Sequence, residues 1–355
     1  MPSFTLTQTE LTLEKRVPLT ISRGTYTHSQ LLWLRLAAGG YEGWGEAVEF
    51  SVDGVEQTFD DLKRGTSAAA AILGRHDAAD REGIEAALLA AMIPSAVRSA
   101  VDQAWWDWHG RTTGTPVWRL WGLDPQRAPV TSVTIGISSP EAAQRRVRLW
   151  LELGDLRAFK IKLGSPAGIA ADREMFSAVA EVIPAGAKIS VDANGGWSVD
   201  DAIRMSSWLA ARGIDHLEQP LRRGLEPELR RVRQASPLPV MLDESVFTSA
   251  DIEPLVRLEA LDGFNIKLMK CGGLSEARRM VEVARAHGLR ILVGCYGNSA
   301  LANTAGAVLG PLVDYLDLDS HLNLKDDPFS GARLEAGRFV LSPQPGFGVT
   351  YAPPV

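Results

Sequence analysis

Residues 188–245 read KISVDANGGWSVDDAIRMSSWLAARGIDHLEQPLRRGLEPELRRVRQASPLPVMLDES, and three short apolar runs in this stretch each lead into an acidic residue. These residues are Asp192, Glu218 and Asp243, spaced by 26 and then 25 positions, and Lys267 follows another apolar run 24 positions later. A parallel barrel repeats its strand-plus-helix unit at about this interval, and barrel active sites lie at the carboxyl ends of the strands. The spacing therefore predicts that the four side chains meet at the carboxyl-terminal rim of a barrel.

Short apolar runs alternate with amphipathic helical stretches from about residue 129 onward. The strand-like runs are 130–137, 158–163, 188–191, 216–217, 240–242, 263–266, 290–293 and 315–318. Eight strands with intervening helices are typical of a closed parallel barrel. We therefore predict an α/β fold whose catalytic domain is a (β/α)7β-type TIM barrel over residues 126–325.

The part of the chain before the barrel has a different pattern. Its strand-like stretches are 3–14 and 29–37, and its helix-like stretches are 55–73, 80–91 and 95–112. The segment YEGWGE at 41–46 is interpreted as a glycine-rich turn. We therefore predict an α+β capping domain over residues 1–125. The loop-rich, proline-containing segment 326–355 is predicted to return to this domain and complete it.

The overall composition argues against several classes of protein. A chain of 355 residues with 45% hydrophobic content can bury a large core, and its apolar runs stay well below the roughly 20 residues that span a bilayer. The first residues lack the pattern of a secretory signal, so we expect a cytoplasmic protein with no membrane partner. A formal net charge of −6 argues against nucleic-acid binding. Only Cys271 and Cys295 could pair, so no disulfide framework is expected, and neither lies in a CxxC or Cys/His cluster.

Three carboxylates at one level of a barrel rim require a cation between them. Without a cation they would repel each other and would be costly to remove from water. All-oxygen ligation suits a hard ion, with Mg²⁺ favoured. The alternative is that each acidic residue caps a helix, which explains any one of them but explains three in matched register poorly. We therefore predict that Asp192, Glu218 and Asp243 bind one Mg²⁺ per subunit.

Lysine is scarce in this chain, and its placement is uneven. The sequence has 29 arginines and only eight lysines, and four of the lysines lie in FKIKL (159–163) and NIKLMK (265–270). A buried lysine can lower its pKa and act as a base, whereas arginine cannot. Residues two apart on a strand point to one side, which we take to be inward for Lys160 and Lys162. Near a metal, these two would lower each other's pKa. The alternative, two strands with polar ends, remains open.

Lys162 and Lys267 belong to the second and sixth predicted barrel strands. They would therefore stand across the barrel mouth from each other. A base on each face of a carbon acid can remove a proton from one side and return it from the other. We therefore predict that these two lysines are catalytic bases for stereochemical inversion.

Several of these motifs together resemble the enolase superfamily, specifically its muconate-lactonizing subgroup. The resemblance covers nearly the whole chain and rests on Lys160-Ile161-Lys162, Val191-Asp192-Ala193-Asn194, Glu218-Gln219-Pro220, Asp243-Glu244-Ser245 and Asn265-Ile266-Lys267. It implies a Mg²⁺ ion that binds a substrate carboxylate and stabilises its enediolate, with Asn194 in a supporting role. Arg23 and the segment GWGEA (43–47) resemble capping-domain elements that close over such sites.

The segment YLDLD (315–319) resembles the Asp-x-Asp pair by which dipeptide epimerases hold a substrate ammonium group. Two anions attract a cationic amino terminus and repel an anionic succinyl group. By the same resemblance, Asp317 and Asp319 bind the ammonium group, and Thr134 and Lys160 contact the substrate carboxylate. The alternative, in which one aspartate of this pair caps a helix and the other is solvated, remains open.

The side-chain specificity is less strongly indicated by the sequence. Cys295 belongs to a turn that lines the side-chain pocket by resemblance, and Arg23 would suit an acidic substrate side chain, as in L-Ala-L-Glu. The segment CYGNS (295–299) departs from the Met-x-Glu-Ser pattern of relatives because it lacks the acidic residue. This departure puts the dipeptide in doubt but not the metal and base positions.

The sequence therefore predicts a Mg²⁺-dependent dipeptide epimerase that inverts the α-carbon of the carboxyl-terminal residue by two-base 1,1-proton transfer. The substrate would be L-Ala-L/D-Glu or a related dipeptide, and the protein is expected to be a homo-oligomer. A sister chemistry in the same site remains open, as in N-acylamino acid racemase, o-succinylbenzoate synthase or muconate cycloisomerase. A metal-stabilised binding protein without catalysis is the third alternative, although it would have no need of lysines on both faces.

Overall fold

The computed structural model describes residues 3–353. It begins with an antiparallel sheet of three strands in chain order: β1 (Thr5–Ile21), β2 (Gly24–Ala38) and β3 (Tyr41–Val48). Leu31 and Leu32 are both fully buried, although neighbouring residues of a strand point to opposite faces. Both faces of the central strand are therefore covered. A short hairpin, β4 (Phe50–Val52) and β5 (Val55–Gln57), follows the sheet.

Three helices follow: α1 (Phe59–Leu73), α2 (Arg81–Ala90) and α3 (Ser95–Thr112). Helices α1 and α3 pack on the sheet, and α2 packs on these two helices. Helix α1 begins at Thr58, whose hydroxyl accepts a bond from the Asp61 amide while the Asp61 carboxylate accepts from the Thr58 amide. This reciprocal capping box satisfies two free backbone donors and fixes the start of the helix. A short helix, α4 (Val117–Leu120), ends this part of the chain.

The glycine-rich segment 41–46 is a strand and not the turn that the sequence suggested. Gly43 and Gly45 lie on β3 directly against α3, and a Cβ atom on either one would collide with the backbone of Ala104 or Ala100. The prediction was wrong because these glycines allow the helix and the sheet to approach closely. Sequence composition alone does not distinguish such glycines from those of a turn.

We expect Gly45→Ala to destabilise the protein by roughly 3 kcal/mol or more, because the obstacle is helix backbone that cannot rotate away. Thermal unfolding measures the change. Gly74→Ala is the matched control, since Gly74 has φ −65° and an added Cβ would lie 3.5 Å from the Ala70 carbonyl oxygen. Equal midpoints for the two variants would contradict this account of β3.

The rest of the chain is built around a parallel sheet of eight strands. These strands are β6 (Val133–Ile135), β7 (Ala158–Lys162), β8 (Lys188–Asp192), β9 (Leu217–Glu218), β10 (Val240–Leu242), β11 (Gly263–Lys267), β12 (Arg290–Gly294) and β13 (Tyr315–Asp317). Each strand pairs with the next in chain order. A parallel bridge between Thr131 and Leu316, with the Ser132 amide 2.8 Å from the Leu316 oxygen, joins the last strand to the first. The sheet therefore closes into a barrel.

Helices connect the barrel strands. They are α5 (Pro140–Leu151), α6 (Ile169–Ala180), α7 (Val199–Ala210), α8 (Glu226–Ala235), α9 (Ile252–Arg257), α10 (Leu268–Cys271), α11 (Leu274–Ala286) and α12 (Ala300–Ala307). Short 3-10 helices lie at Pro125–Arg127, Ser249–Asp251, Gly310–Leu312 and Ser320–Asn323. The fully buried Phe159, Ile161 and Phe264 contribute to a continuous core. This core holds the strand ends at fixed heights.

The carboxyl-terminal segment forms two small antiparallel pairs. They are β14 (Phe329–Ser330) with β17 (Thr350–Tyr351), and β15 (Arg333–Glu335) with β16 (Arg338–Val340). The rings of Phe329 and Tyr351 lie 5.2 and 4.5 Å from the ring of Trp33, which is on β2. The segment therefore packs on the amino-terminal sheet, and the predicted fold class is confirmed. Domain boundaries at residues 125 and 325 stay a prediction. Within residues 3–353, the helices are too short or too polar to cross a membrane.

Candidate active site

Three buried carboxylates meet at the carboxyl ends of neighbouring strands. Asp192 and Glu218 end β8 and β9 and are register partners, and Asp243 directly follows β10. One oxygen atom of each side chain lies within 4.8 Å of the others, and all three residues are at most 1% exposed. Three anionic oxygens at this spacing form a ligand set for a hard divalent cation. The donors fit Mg²⁺.

The backbone at this rim adopts an uncommon conformation. Asn194 and Gln219, each within two residues of a proposed ligand, have φ values of 43° and 35°. The Gln219 side-chain oxygen accepts a bond from the Asp243 amide at 2.8 Å, and the Asn194 amide donates to Asp192 at 2.8 Å. Such conformations persist where surrounding contacts hold them. The rim is therefore fixed in position, and its hydrogen bonds include the one between Asn194 and the Asp192 carboxylate.

Each lysine of the two lysine-containing strands contacts a carboxylate of this cluster. The ammonium of Lys162 lies 2.5 Å from Asp192, and that of Lys267 lies 2.7 Å from Asp243. The strands that carry them, β7 and β11, are four apart in a closed barrel of eight. The two ammonium groups therefore approach the cluster from opposite sides.

Carboxylates, and not the neighbouring ammonium group, dominate the pKa of Lys160. Burial lowers the pKa of Lys160, but the carboxylates of Asp317 and Glu218 outweigh burial and hold this pKa well above its usual value. Burial also lowers the pKa of Lys267, and Asp243 in turn raises it above the usual range. The expectation for Lys160 counted the nearby ammonium group and a bound cation but omitted these anions. A bound cation would compete for the same carboxylates and lower these pKa values.

Two buried residues that the sequence did not assign to the site hold the carboxylates in place. Lys270 is 1% exposed and donates to the Asp243 carboxylate at 2.6 Å and to the Val246 oxygen at 2.9 Å. Asn265 donates to Glu218 at 2.8 Å. The sequence shows that Lys270 follows Lys267 by three positions, but it does not show that the Lys270 side chain points toward Asp243.

The acidic pair of the eighth strand lies beside the first strand. Asp317 accepts bonds from Lys160 at 2.5 Å and Ser132 at 2.8 Å, and Asp319 accepts one from the Thr134 amide at 2.6 Å. Both carboxylates are 7% exposed. Burial and then Asp317 raise the pKa of Asp319 to about 6, whereas Lys160 outweighs burial and lowers the pKa of Asp317. The pair thus combines one firmly ionised carboxylate with one that titrates.

Arg23 reaches the barrel from the amino-terminal sheet. Its guanidinium donates to Glu244 at 2.6 Å and to the Asn194 backbone oxygen at 3.1 Å. Burial and the neighbouring Asp243 and Asp192 raise the pKa of Glu244 to about 6. Contact between Arg23 and an acidic substrate stays a prediction, because this guanidinium already holds a carboxylate of the protein.

These groups surround one cavity of about 360 Å³ between the barrel mouth and the amino-terminal sheet. Its lining includes these residues proposed from the sequence: Arg23, Thr134, Lys162, Asn194, Lys267, Cys295, Asp317 and Asp319. Lys160 lies below this lining, 1% exposed and between Glu218 and Asp317. Direct contact between Lys160 and a substrate carboxylate therefore stays a prediction. The apolar wall comes from Leu19, Ile21, Val48 and Phe50.

Family models match both parts of the chain. Residues 4–122 match the mandelate racemase / muconate lactonizing enzyme N-terminal domain, and residues 141–355 match the enolase C-terminal domain-like model. The chain belongs to the mandelate racemase / muconate lactonizing enzyme family. The predicted membership of the enolase superfamily is thereby confirmed.

Several members of this family are similar over nearly the whole chain. A hydrophobic dipeptide epimerase of Roseobacter litoralis is 44% identical over 342 residues, which are 95% of this chain and 96% of that protein. A dipeptide epimerase of Cytophaga hutchinsonii, solved with Mg and D-Ala-L-Val, has a TM-score of 0.92 at 27% identity, covering 98% and 96% of the two chains. The Enterococcus faecalis dipeptide epimerase, solved with Mg and L-Leu-L-Tyr, has a TM-score of 0.92 at 26% identity, covering 99% and 100%.

One departure from the expected family pattern has a structural counterpart. The seventh-strand turn lacks the acidic residue expected there, but Glu46 of β3 reaches it from the amino-terminal sheet. Glu46 accepts bonds from the Asn298 side chain at 3.0 Å and the Ser299 amide at 3.1 Å, and it also contacts the Ser299 hydroxyl. Burial raises the pKa of Glu46 to about 7. A carboxylate thus supports this turn from another part of the chain, which sequence spacing could not reveal.

Proposed function

We propose that this protein is a Mg²⁺-dependent dipeptide epimerase that inverts the α-carbon of the carboxyl-terminal residue of its substrate. The observation that carries the proposal is the shared cavity, in which Lys162 and Lys267 approach a carboxylate cluster from opposite sides while Asp317 and Asp319 line one wall. Epimerases of dipeptides are also among the most similar relatives, with the Roseobacter litoralis protein at 44% identity.

The proton transfer is assigned to the two lysines. One neutral lysine removes the α-proton from one face, and the ammonium of the other returns a proton to the opposite face. Asp192 and Asp243 orient the two side chains, since each holds one ammonium group. When bound by Asp192, Glu218 and Asp243, Mg²⁺ would supply positive charge for the substrate carboxylate and the negative charge that develops next to it.

Two features of the cavity fit a free-amine dipeptide. The carboxylates of Asp317 and Asp319 provide a site for the substrate ammonium group, and they disfavour an acyl group that ends in a carboxylate. The apolar wall formed by Leu19, Ile21 and Phe50 fits an apolar side chain. Cys295 also lines the cavity, and burial raises the pKa of its thiol to about 12, so it contacts substrate as a neutral group.

Deuterium exchange at the α-carbon tests this function. The protein is incubated in D₂O with Mg²⁺ and a library of L,L-dipeptides, and mass gain and stereochemistry are followed together. We expect a single deuterium in free-amine dipeptides, accompanied by inversion and abolished by EDTA. Exchange confined to N-succinyl amino acids would move the protein to the sister racemases and leave Asp317 and Asp319 without an ammonium-binding role. No exchange with either set would overturn the catalytic proposal.

The raised pKa of Asp319 predicts a pH dependence. Burial and Asp317 place this pKa at about 6, so the carboxyl becomes neutral as pH falls through 6 and loses its attraction for an ammonium group. At saturating Mg²⁺, kcat/KM for a free-amine dipeptide should fall about tenfold per pH unit below this point. Asp319→Asn should lower kcat/KM at pH 8 and remove this acidic limb. An acidic limb that is unchanged in Asp319→Asn would assign the titration to another group.

Two properties stay predictions at the level of the sequence. A cytoplasmic location is expected from the sequence, and localisation of the tagged protein in cells tests it. A homo-oligomeric state is expected, and light scattering of the purified protein measures it.

A further inference from the structure

Two cations line the active-site cavity, Lys15 buried and Arg146 half-buried, and neither has a carboxylate within ion-pair distance among residues 3–353. Lys15 on β1 is 7% exposed, and its ammonium makes one hydrogen bond, to the Ser29 hydroxyl at 3.1 Å. Arg146 on α5 stacks on Trp150, with its guanidinium carbon 3.9 Å from the ring centroid. A desolvated cation is costly unless it is paired, so two such groups facing one cavity require explanation.

Burial and one carboxylate, Asp319, both act on the pKa values of the two cations. Burial lowers the pKa of Lys15, and Asp319 and Arg146 act on it in opposite directions. Burial also lowers the pKa of Arg146, to about 10, and Asp319 partly offsets this effect. Asp319 is the one described carboxylate whose charge reaches both groups.

Asp319 cannot serve both cations once substrate is bound. Under the proposed function, Asp319 binds the substrate ammonium group, which leaves Lys15 and Arg146 facing the cavity unpaired. They therefore lie close to the ammonium of the amino-terminal residue. An acidic side chain on that residue would place an anion beside both cations.

We propose that Lys15 and Arg146 form a subsite for an acidic side chain on the amino-terminal residue of the dipeptide. The preferred substrate class is therefore L-Asp-L-X or L-Glu-L-X, with X apolar. This inference rests on the proposed epimerase function and adds a preference at the substrate position that is not inverted. The amino-terminal residue of such a dipeptide carries both an ammonium group and a side-chain carboxylate. These two charges match the two anions and the two cations that line the cavity.

Isosteric substrate pairs test the subsite on the unmodified protein. L-Glu-L-Leu is compared with L-Gln-L-Leu, and L-Asp-L-Leu with L-Asn-L-Leu, by deuterium exchange at the leucine α-carbon. We expect kcat/KM at least about tenfold higher for the better of the two acidic substrates than for its amide, since a charge-assisted hydrogen bond contributes this much. Equal values in both pairs would overturn the subsite while leaving the epimerase function intact. A lack of exchange in every free-amine dipeptide would instead overturn the function itself.

Two variants assign the preference to the residues. Lys15→Gln and Arg146→Gln should each lower the ratio of acidic to amide substrate by about fivefold or more, as expected for loss of one charged partner. Arg148→Gln is the matched control, because Arg148 lies on the same helix but is exposed to solvent. Unchanged ratios in both cavity variants would overturn the assignment. So would a preference found for L-Leu-L-Glu over L-Leu-L-Gln alone, which would place the anion at the other substrate residue.

Discussion

Lys162→Ala and Lys267→Ala should each lower the rate of inversion by at least about 10³-fold, because removal of a positioned general base or acid has effects of this size. The two lysines stand on opposite sides of the same cavity, so each variant should retain a base on one face. We therefore expect residual α-proton exchange without inversion, in one epimer for Lys162→Ala and in the other epimer for Lys267→Ala. Mass spectrometry of separated epimers in D₂O measures both properties.

A lysine far from the cavity provides the control for this experiment. Lys188 begins β8 at the opposite end of the barrel and is exposed to solvent. Lys188→Ala should keep the parent rate of inversion within about twofold, as expected for an exposed surface substitution. Inversion at the parent rate in either cavity variant would exclude the two-base scheme. Exchange of the same epimer by both variants would exclude the assignment of one lysine to each face.

Asp243→Ala should remove both Mg²⁺ binding and a large part of the folding stability. Its carboxylate is one of the three proposed ligands, and it also pairs with Lys267 at 2.7 Å and Lys270 at 2.6 Å. Removing one partner of a buried ion pair costs about 3–5 kcal/mol, since the other charge stays buried and unpaired. We expect the variant to unfold at a lower temperature and to show no turnover.

Thermal unfolding with and without Mg²⁺ separates the two effects of this substitution. A concentration of 100 times the dissociation constant should stabilise the parent protein by about 2.7 kcal/mol and leave the variant unchanged. Asp243→Asn provides a milder form if the alanine variant does not fold. Asp326→Asn is the control, because Asp326 is exposed and its φ of 51° suits asparagine. Full Mg²⁺ stabilisation of both Asp243 variants would exclude this carboxylate as a ligand.

Features that repeat along the chain were predictable from the sequence. Asp192, Glu218, Asp243 and Lys267 are separated by about the length of one strand and one helix. This spacing predicts both the barrel fold and the common level of the four side chains at its rim. The alternation along β7 similarly placed Lys160 and Lys162 on one side. Both inferences depend on local geometry that composition and spacing express directly.

Features that depend on packing between distant segments were not predictable. Gly43 and Gly45 permit contact with α3, but glycine in a short polar segment is equally typical of a turn. Lys270 bonds to a carboxylate 27 positions away, and Lys15 enters the cavity from β1. Such contacts follow from the relative placement of whole elements, for which one sequence carries no periodic signal. The pKa shift of Lys160 was not predictable for the same reason, because its direction depends on the nearby Asp317 and Glu218.

Glu46 has a consequence for how this protein could be recombined with its relatives. The two lysines proposed to move protons stand on barrel strands, whereas much of the cavity wall proposed to meet substrate side chains comes from the first 57 residues. Exchanging the amino-terminal part between relatives should therefore transfer substrate range without altering the reaction. Because Glu46 bonds to Asn298 and Ser299, a functional chimera must inherit the seventh-strand turn from the same parent. The segments that contain Glu46 and Asn298, 252 positions apart in the chain, should therefore be exchanged together.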